Sequence, residues 1–174
     1  MNNAILLQSG EFYSYTNPEQ NKFTIEDIAE ALSNICRFGG HVSTHYSVAQ
    51  HAVNVSYDIE PEYALDGLLH DAVEAFLCDI PTPLKMLLPD YQEIEEKHER
   101  EMFKRFNLTY PMVDAVKRAD KRAFCTEVRD MKPKNAHWDS YCDIATYDYK
   151  IVPWSHQEAK EKFLARYYEI VGKN

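Results

Sequence analysis

Cysteine, glycine and long apolar runs are all scarce in this 174-residue chain. Its four cysteines form no CxxC or other zinc-type pair, which excludes a cysteine-based zinc site. We expect all four to be reduced and mostly buried thiols in a cytoplasmic protein: Cys36, Cys78, Cys125 and Cys142. Only five glycines are present, and no Gly/Ser linker or internal repeat divides the sequence. A single domain over residues 1–174 is therefore expected.

No stretch approaches the roughly 18 apolar residues that span a membrane. The run Ala4-Ile5-Leu6-Leu7 has no basic flank and is too short for a signal peptide. Basic residues are outnumbered, with 19 Lys and Arg against 28 Asp and Glu and a formal net charge of −9. We therefore expect neither a membrane nor polymeric DNA or RNA as a partner. A small phosphorylated substrate is compatible, because a bound metal and a few basic side chains reverse the field locally.

Most of the chain carries helical signals. Three helices open on capping patterns, which are Thr24 with Asp27, Ser47 with Gln50, and Ser155 with Glu158. Further helices are expected from about Pro61 to Cys78, from Asp90 to about Phe106, and from Pro111 to about Met131.

The first twenty residues contain the strand signals, around Leu6–Gln8 and Glu11–Tyr15 with a turn at Ser9-Gly10. Residues 133–153 are rich in aromatic residues and are expected to form an irregular packed loop. The predicted fold is all-α, a helical bundle with a small N-terminal β-hairpin.

The dipeptide His70-Asp71 is weak evidence by itself, because a chain with seven histidines readily contains one such pair by chance. His51 adds context, since it lies on the apolar stripe of its helix between Val48 and Val55. An imidazole that faces inward needs hydrogen bonds or a metal. Taken singly, His51 is better explained as a hydrogen-bonded core histidine.

Asp120, on another predicted helix, is a second polar residue expected to face inward. It shares a stripe with Val116 and Glu127, so its carboxylate is expected to face inward. An unpaired buried charge is very costly, and a cation must therefore lie nearby. Lys117 or Arg118 is the ordinary candidate for that cation.

A divalent metal explains all of these positions together. Three helices would then point their ligands at one ion, and the ligands would be His51, His70, Asp71 and Asp120. Two imidazoles and two carboxylates suit Mn, Co, Fe, Ni or Zn. We favour the metal, because three inward polar sites on three helices are hard to explain separately.

Two further carboxylates and two cations flank the proposed ligands. Glu74 lies one helical turn after His70, and Asp79 closes the same predicted helix. Either carboxylate could move a proton to or from water, although solvated surface charge is the ordinary explanation. Arg37 and Lys85 are candidates for binding phosphate, although lone basic residues are commonly surface groups.

Four segments carry a family resemblance, and the most specific of them is LLHDAVEAFLCDIPTPLK at 68–85, with CRF at 36–38, YSVAQH at 46–51 and RAD at 118–120. They resemble segments of the small HD-domain metal-dependent phosphohydrolases, a group that includes bacterial 5′-deoxynucleotidases and phage dATP triphosphohydrolases. The resemblance runs from about Phe23 to Lys132. Phe38 stands where the deoxynucleotidases have tryptophan, and the spacing from His51 to His70 is short.

This resemblance implies an HD-domain bundle, a homo-oligomer, and one divalent transition metal held by His51, His70, Asp71 and Asp120. It implies catalytic roles for Glu74 and Asp79, and substrate binding by Arg37, Phe38 and Lys85. A single metal is implied because members with two metals carry extra histidines between the HD pair and the last Asp, where this chain has only His98.

The implied reaction is hydrolysis of a deoxynucleoside monophosphate to deoxynucleoside and phosphate. Release of triphosphate from dATP is the alternative reaction. A non-catalytic module that binds a nucleotide or a protein partner, and a plain helical scaffold, are the alternatives from other classes. His41 and His45 fit either a pocket or an exposed loop, and His137, Trp138 and Tyr141 fit either base stacking or the core.

Overall fold

The computed structural model describes residues 3–134 and 140–172. The helices, in chain order, are α1 (Ile25–Asn34), α2 (Val48–Tyr57), α3 (Ala64–Leu69), α4 (Glu74–Leu77), α5 (Thr82–Lys85), α6 (Pro89–Phe106), α7 (Asp114–Met131) and α8 (His156–Val171). Short 3-10 turns lie at Pro18–Gln20, Arg37–Gly40 and Pro61–Tyr63. The described part of the chain is thus mostly α-helical, as the sequence predicts.

The N-terminal hairpin is confirmed, with β1 (Ala4–Leu6) and β2 (Phe12–Ser14) paired antiparallel. Strand β1 lies two residues before the predicted Leu6–Gln8, and β2 is shorter than the predicted Glu11–Tyr15. The turn contains Gly10 at φ 90°, a conformation that glycine adopts without strain. The ring of Tyr13 stacks on that of Phe76 with centroids 3.9 Å apart, which anchors the hairpin to the helical core.

Two helices begin where their capping patterns predict. Thr24 accepts a hydrogen bond from the backbone of Asp27 at 3.2 Å, and the Asp27 carboxylate accepts one from the backbone of Thr24 at 3.0 Å. This reciprocal box fixes the start of α1. Ser155 caps α8 by accepting a hydrogen bond from the backbone of Glu158 at 3.2 Å.

At the start of α2, the side chains of Ser47 and Gln50 make separate contacts. Ser47 caps the helix by accepting from the backbone of Gln50 at 3.1 Å. The Gln50 side chain instead donates to the carbonyl of Val152 at 2.9 Å and accepts from the backbone of Trp154 at 2.8 Å. Gln50 therefore fastens the segment before α8 to α2.

The core is formed where α1, α2, α3 and α8 pack together. Its fully buried side chains include Ile28, Leu32, Val48, Ala52, Leu68 and Phe163. Helix α7 packs on α2 and α3, and it shares with α2 a second apolar cluster that includes Val55, Ala119 and Ala123. This arrangement brings α2, α3 and α7 into contact and positions the site.

The predicted continuous helix from Pro61 to Cys78 is wrong. Helix α3 ends at Leu69, a turn covers residues 70–73, and α4 begins at Glu74. The backbone N–H of Ala72 donates to the carbonyl of Leu69, and that of Glu74 donates to the carbonyl of Asp71. These hydrogen bonds span three residues, as in a 3-10 helix, rather than the four of an α-helix. The break falls on the His70-Asp71 pair.

Two helix starts also differ from prediction. Helix α6 begins at Pro89, with Leu88 rather than Asp90 at the capping position. Helix α7 begins at Asp114, because Val113 still has an extended backbone (φ −69°, ψ 151°), and Pro111 lies outside the helix.

The expectation of four reduced thiols is wrong for one pair. Cys125 and Cys142 form a disulfide, since α7 and the following segment bring their Cα atoms to 5.4 Å. Cys36 and Cys78 are free, and Cys78 is exposed rather than buried. Over the described residues, no helix combines the length and apolar character needed to cross a membrane. A cytoplasmic location stays a prediction.

Candidate metal centre

Three segments of the fold bring ligand atoms together. His51 projects from α2, His70 follows α3, and Asp120 projects from α7, with one ligand atom of each lying within 4.8 Å of the others. The Nε2 atom of His51 lies 3.1 Å from Oδ1 of Asp120 and 3.3 Å from Nε2 of His70. Among the described residues, this group could hold a metal ion.

Asp71 joins this cluster. Its Oδ2 atom lies 3.1 Å from Nε2 of His70 and 3.7 Å from Nε2 of His51. The structure therefore brings the ligand atoms of His51, His70 and Asp120 together and places Asp71 beside the two imidazoles. The short turn after α3 makes this possible, because it directs His70 and Asp71, adjacent in sequence, toward the same centre.

The second ring nitrogen of each histidine has a fixed acceptor. Nδ1 of His70 lies 2.8 Å from the carbonyl oxygen of Gly67, which can only accept, so Nδ1 carries the proton. Nδ1 of His51 lies 2.6 Å from Oε1 of Glu127. Each Nε2 atom is thereby directed to the centre, the arrangement that metal-ligating imidazoles show.

Burial differs sharply across the cluster. His51 and His70 are 0% and 4% exposed, whereas the side chain of Asp120 is 43% exposed. Asp120 was expected to face the core, but it lies on the open side of the site. Neither expected cation pairs with it in the described contacts: Lys117 contacts Asp114, and the partners of Asp120 are the two imidazoles. The centre is therefore open to solvent on the α7 side.

The electrostatics of the centre favour positive charge. Burial and the charge of Arg37 act to lower the pKa of His51, but Glu127 and Asp120 raise it to about 10. Burial alone would raise the pKa of Asp71, yet the two imidazoles and Arg37 hold it well below its ordinary value. Binding of a cation at such a centre would be coupled to the loss of a proton.

Glu127 is a site residue that sequence reasoning did not assign. Its side chain is fully buried on α7 and contacts His51, Arg37 and the Tyr46 hydroxyl. The available signal was its position on the inward stripe, two turns after Asp120. Its contacts with α2 and with the 3-10 turn that follows α1 could not be read from that stripe.

Arg37 lies beside the centre but is already paired. Its Nε and Nη2 atoms donate to Oε2 of Glu127 at 3.3 and 3.1 Å, and Nη1 lies 3.7 Å from Oδ2 of Asp71. Phe38, the next residue, has a left-handed backbone with φ 58°. Its ring packs against that of Phe124 at 5.8 Å, and Nζ of Lys132 lies 5.2 Å from its centroid.

The predicted catalytic carboxylates differ in burial. Glu74 is 8% exposed, and its Oε2 atom is buried without a hydrogen-bond partner. Burial, together with the charges of Asp71 and Asp79, raises the pKa of Glu74 well above its ordinary value. Asp79 is half-buried, and burial also raises its pKa, against the effect of Arg37.

Lys85 is held away from a free phosphate-binding role. Its Nζ atom lies 2.6 Å from Oε1 of Glu95 on α6. A cavity of about 310 Å³ lies here, lined by Thr82, Lys85, Met86, Gln92, Glu95, Glu96 and Glu99. The surroundings of Lys85 are therefore acidic.

The other histidines that the structure describes lie outside the centre. His45 contacts the carbonyl of Ser33 at 3.0 Å, and His41 is exposed. His98 is buried on α6 between Tyr13 and Tyr15 of the hairpin. His137 and Trp138 lie outside the described residues, so their predicted role in base stacking stays a prediction.

This fold and this cluster define a mostly α-helical protein with a histidine–carboxylate cluster that could hold a metal ion. The chain belongs to the family of the uncharacterized protein YfdR of Escherichia coli K12, with which it is 40% identical over 164 residues, 93% of this chain and 92% of YfdR. It is also 31% identical over 131 residues to an uncharacterized protein of Rhodobacter capsulatus, covering 70% of this chain and 67% of that protein. No protein-family model matches the chain.

Proposed function

We propose that this protein is a metal-dependent phosphohydrolase of the HD-domain type that hydrolyses phosphate esters of deoxynucleotides. One observation carries the proposal: two imidazoles, each with Nδ1 bonded to an acceptor, direct Nε2 toward two carboxylates next to a buried, unpaired Glu74. A plain helical scaffold has no need for this convergence of costly polar groups.

The donor set fits one divalent ion of the series Mn, Co, Fe, Ni or Zn. His51, His70, Asp71 and Asp120 would hold it. When bound, such an ion supplies positive charge to a phosphoryl oxygen and lowers the pKa of a water molecule. The exposed edge at Asp120 leaves a side from which substrate can approach.

The chain's own residues supply the remaining chemistry. Nη1 of Arg37, facing Asp71, is the arginine atom available to a phosphate oxygen, with Lys85 as a second cation. Glu74, whose raised pKa keeps it protonated, gives its proton to the leaving 5′ oxygen. Asp79, less buried, accepts a proton from the attacking water.

The charge around the site supports a monophosphate rather than a triphosphate substrate. Arg37 is paired with Glu127, and Lys85 is paired with Glu95. A triphosphate carries more negative charge than these two neutralised cations can offset, and Glu99, which lines the same cavity, adds further repulsion. We therefore propose the 5′-deoxynucleotidase reaction.

A product assay tests this proposal. Metal-free protein is reconstituted with Mn or Co and incubated with each dNMP and dNTP, and phosphate and triphosphate are measured separately. We expect phosphate from dNMPs. Triphosphate from dATP would show the alternative reaction, and no product from any nucleotide with any of these metals would overturn the enzymatic proposal.

Glu74→Gln is the diagnostic variant for catalysis. It keeps the side-chain shape but cannot transfer the proton, so kcat should fall by roughly 10²- to 10⁴-fold while metal content is unchanged. Glu161→Gln, at an exposed position on α8, is the matched control and should leave kcat unaltered. Equal activity of Glu74→Gln and the control would remove Glu74 from the mechanism.

A further inference from the structure

The Glu127 carboxylate contacts two groups that the proposed function uses for different tasks. Oε1 lies 2.6 Å from Nδ1 of His51, and Oε2 lies 3.1 Å from Nη2 of Arg37. We propose that Glu127 is a positioning residue that sets the metal ligand His51 and the phosphate-binding Arg37 at once. This inference rests on the proposed function.

The carboxylate is itself rigidly held. Oε1 also accepts from the Tyr46 hydroxyl at 2.9 Å, and that hydroxyl accepts from Nδ2 of Asn54 at 3.1 Å. Oε2 accepts from both Nε and Nη2 of Arg37. Both oxygens of a fully buried side chain are therefore satisfied, and neither can rotate without breaking bonds.

For His51, the consequence concerns which nitrogen carries the proton. An ionised carboxylate only accepts, so Nδ1 of His51 must donate to it, and the proton that a metal would replace is the one on Nε2. A negative partner also makes the imidazole a stronger ligand. Glu127 thus acts on the metal through His51 and does not contact it.

For Arg37, the consequence concerns which edge of the guanidinium is free. Glu127 occupies Nε and Nη2, and Nη1 is left beside Asp71 at 3.7 Å. The backbone N–H of Arg37 donates to the carbonyl of Tyr46 at 2.9 Å, which ties the arginine to the start of α2. The free edge therefore faces the same centre as Nε2 of His51.

Glu127→Gln tests the inference, because glutamine keeps the shape, loses the charge, and presents an NH₂ group to a donor. We expect the affinity for Mn, measured by calorimetry without substrate, to fall by about 10- to 100-fold. The KM for a dNMP at saturating Mn should rise as well, since Arg37 loses its orientation.

Tyr46→Phe is the matched control. It removes one hydrogen bond from the same oxygen and leaves the charge in place, so it should reduce stability while Mn affinity stays close to wild type. A structural role for Glu127 alone predicts that both variants lose stability and that neither loses Mn affinity.

Glu127→Gln leaves the buried charge of Arg37 unpaired, and a second variant is needed if this prevents folding. The double variant Arg37→Met/Glu127→Gln removes both buried charges. It should still bind Mn weakly, whereas Arg37→Met alone should keep its Mn affinity and raise the KM. Equal Mn affinity in the double variant and in Arg37→Met would overturn the inference.

A measurement on the wild-type protein needs no variant. In protein loaded with Zn, a ¹H–¹⁵N imidazole spectrum should show the His51 proton on Nδ1 at low field, and protonation at Nε2 instead would overturn the inference. Absence of any bound metal in wild-type protein would count against the proposed function. A bound metal with unchanged affinity in folded Glu127→Gln would count against the positioning role alone.

Discussion

Nζ of Lys85 lies 2.6 Å from Oε1 of Glu95, so the cation proposed to bind phosphate is already paired with a carboxylate. Both side chains are largely buried, at 25% and 18% exposed, and solvent screens the pair only in part. A phosphate that reaches Lys85 must compete with Glu95. On the proposed function, we therefore expect Glu95 to influence substrate affinity.

Replacing Glu95 by glutamine should therefore strengthen substrate binding. We expect the KM for a dNMP to fall by about fivefold, or roughly 1 kcal/mol, with little change in kcat. Glu96→Gln is the control, because Glu96 is more than half exposed and pairs with Arg100 instead. A rise in KM for Glu95→Gln would mean that Glu95 holds Lys85 in its working position.

Asp120→Asn should weaken metal binding without unfolding the protein. The side chain of Asp120 is 43% exposed, so its replacement does not disturb the buried core. The variant does remove a charged candidate ligand from the centre. We expect Mn affinity to fall by at least about tenfold. Asp114→Asn on the same helix is the control, as Asp114 is exposed and contacts Lys117. Equal Mn content in the two variants would exclude Asp120 as a ligand.

The surroundings of His98 lead us to expect that the protein loses stability in weak acid. The carbonyl of Tyr15 can only accept, so Nε2 of His98 donates to it at 3.1 Å, and Nδ1 of the neutral ring is left to accept from the Tyr13 hydroxyl at 2.7 Å. Burial lowers its pKa below the ordinary 6.5, so the unfolded chain takes up the proton more readily. The stability from this group is full above pH 6.5 and is lost as the pH falls below it.

Urea unfolding at pH 7.5 and 5.5 measures this effect. His98→Asn should cost about 1–3 kcal/mol at pH 7.5, from the lost hydrogen bonds, and should lose less further stability at pH 5.5 than wild type. His156→Gln, at an exposed position on α8, should follow the wild-type pH profile. Parallel profiles for His98→Asn and wild type would disprove the assignment.

Asp27 predicts a second pH effect at lower pH. Its buried carboxylate accepts from the backbone N–H groups of Ser9 and Thr24, which joins the hairpin turn to the start of α1. Burial would raise its pKa, but these hydrogen bonds lower it below the ordinary 3.8. The stabilisation is therefore present above pH 3.8 and is lost as the pH falls through the lowered pKa.

Asp27→Asn should cost about 1 kcal/mol at pH 7, in the range of a lost helix cap. The difference from wild type should shrink as the pH falls through the lowered pKa of Asp27, where the wild-type carboxylate is protonated too. Glu62→Gln, an exposed substitution, serves as the reference in the same unfolding series. A difference that stays constant down to that pH would contradict the lowered pKa.

Structural elements that are set by contacts within one helical turn could be predicted from the sequence. The reciprocal box of Thr24 and Asp27 starts α1 because both partners lie within one turn. Inward positions such as His51 were also predictable, since helical periodicity alone places a residue on the apolar stripe. The break at His70-Asp71 was not predictable, because apolar residues continue on both sides of it at helical spacing.

The pairings within the site could not be predicted from local pattern. Arg37 and Lys85 were expected to bind phosphate, yet their carboxylate partners Glu127 and Glu95 come from other helices. Such contacts depend on how α6 and α7 pack against the rest of the fold. Periodicity places a side chain on a face but does not say which group it meets there.

The ligand atoms come from α2, from the turn after α3, and from α7, which are separated in sequence and meet only in the folded chain. An ion bound by all three segments would act as a reversible cross-link, and binding confined to the folded state shifts the folding equilibrium by RT ln(1 + [M]/Kd). On this proposal, the concentration of free metal sets how much of the protein is folded as well as how much is active. The lifetime of the protein would then follow the supply of its metal.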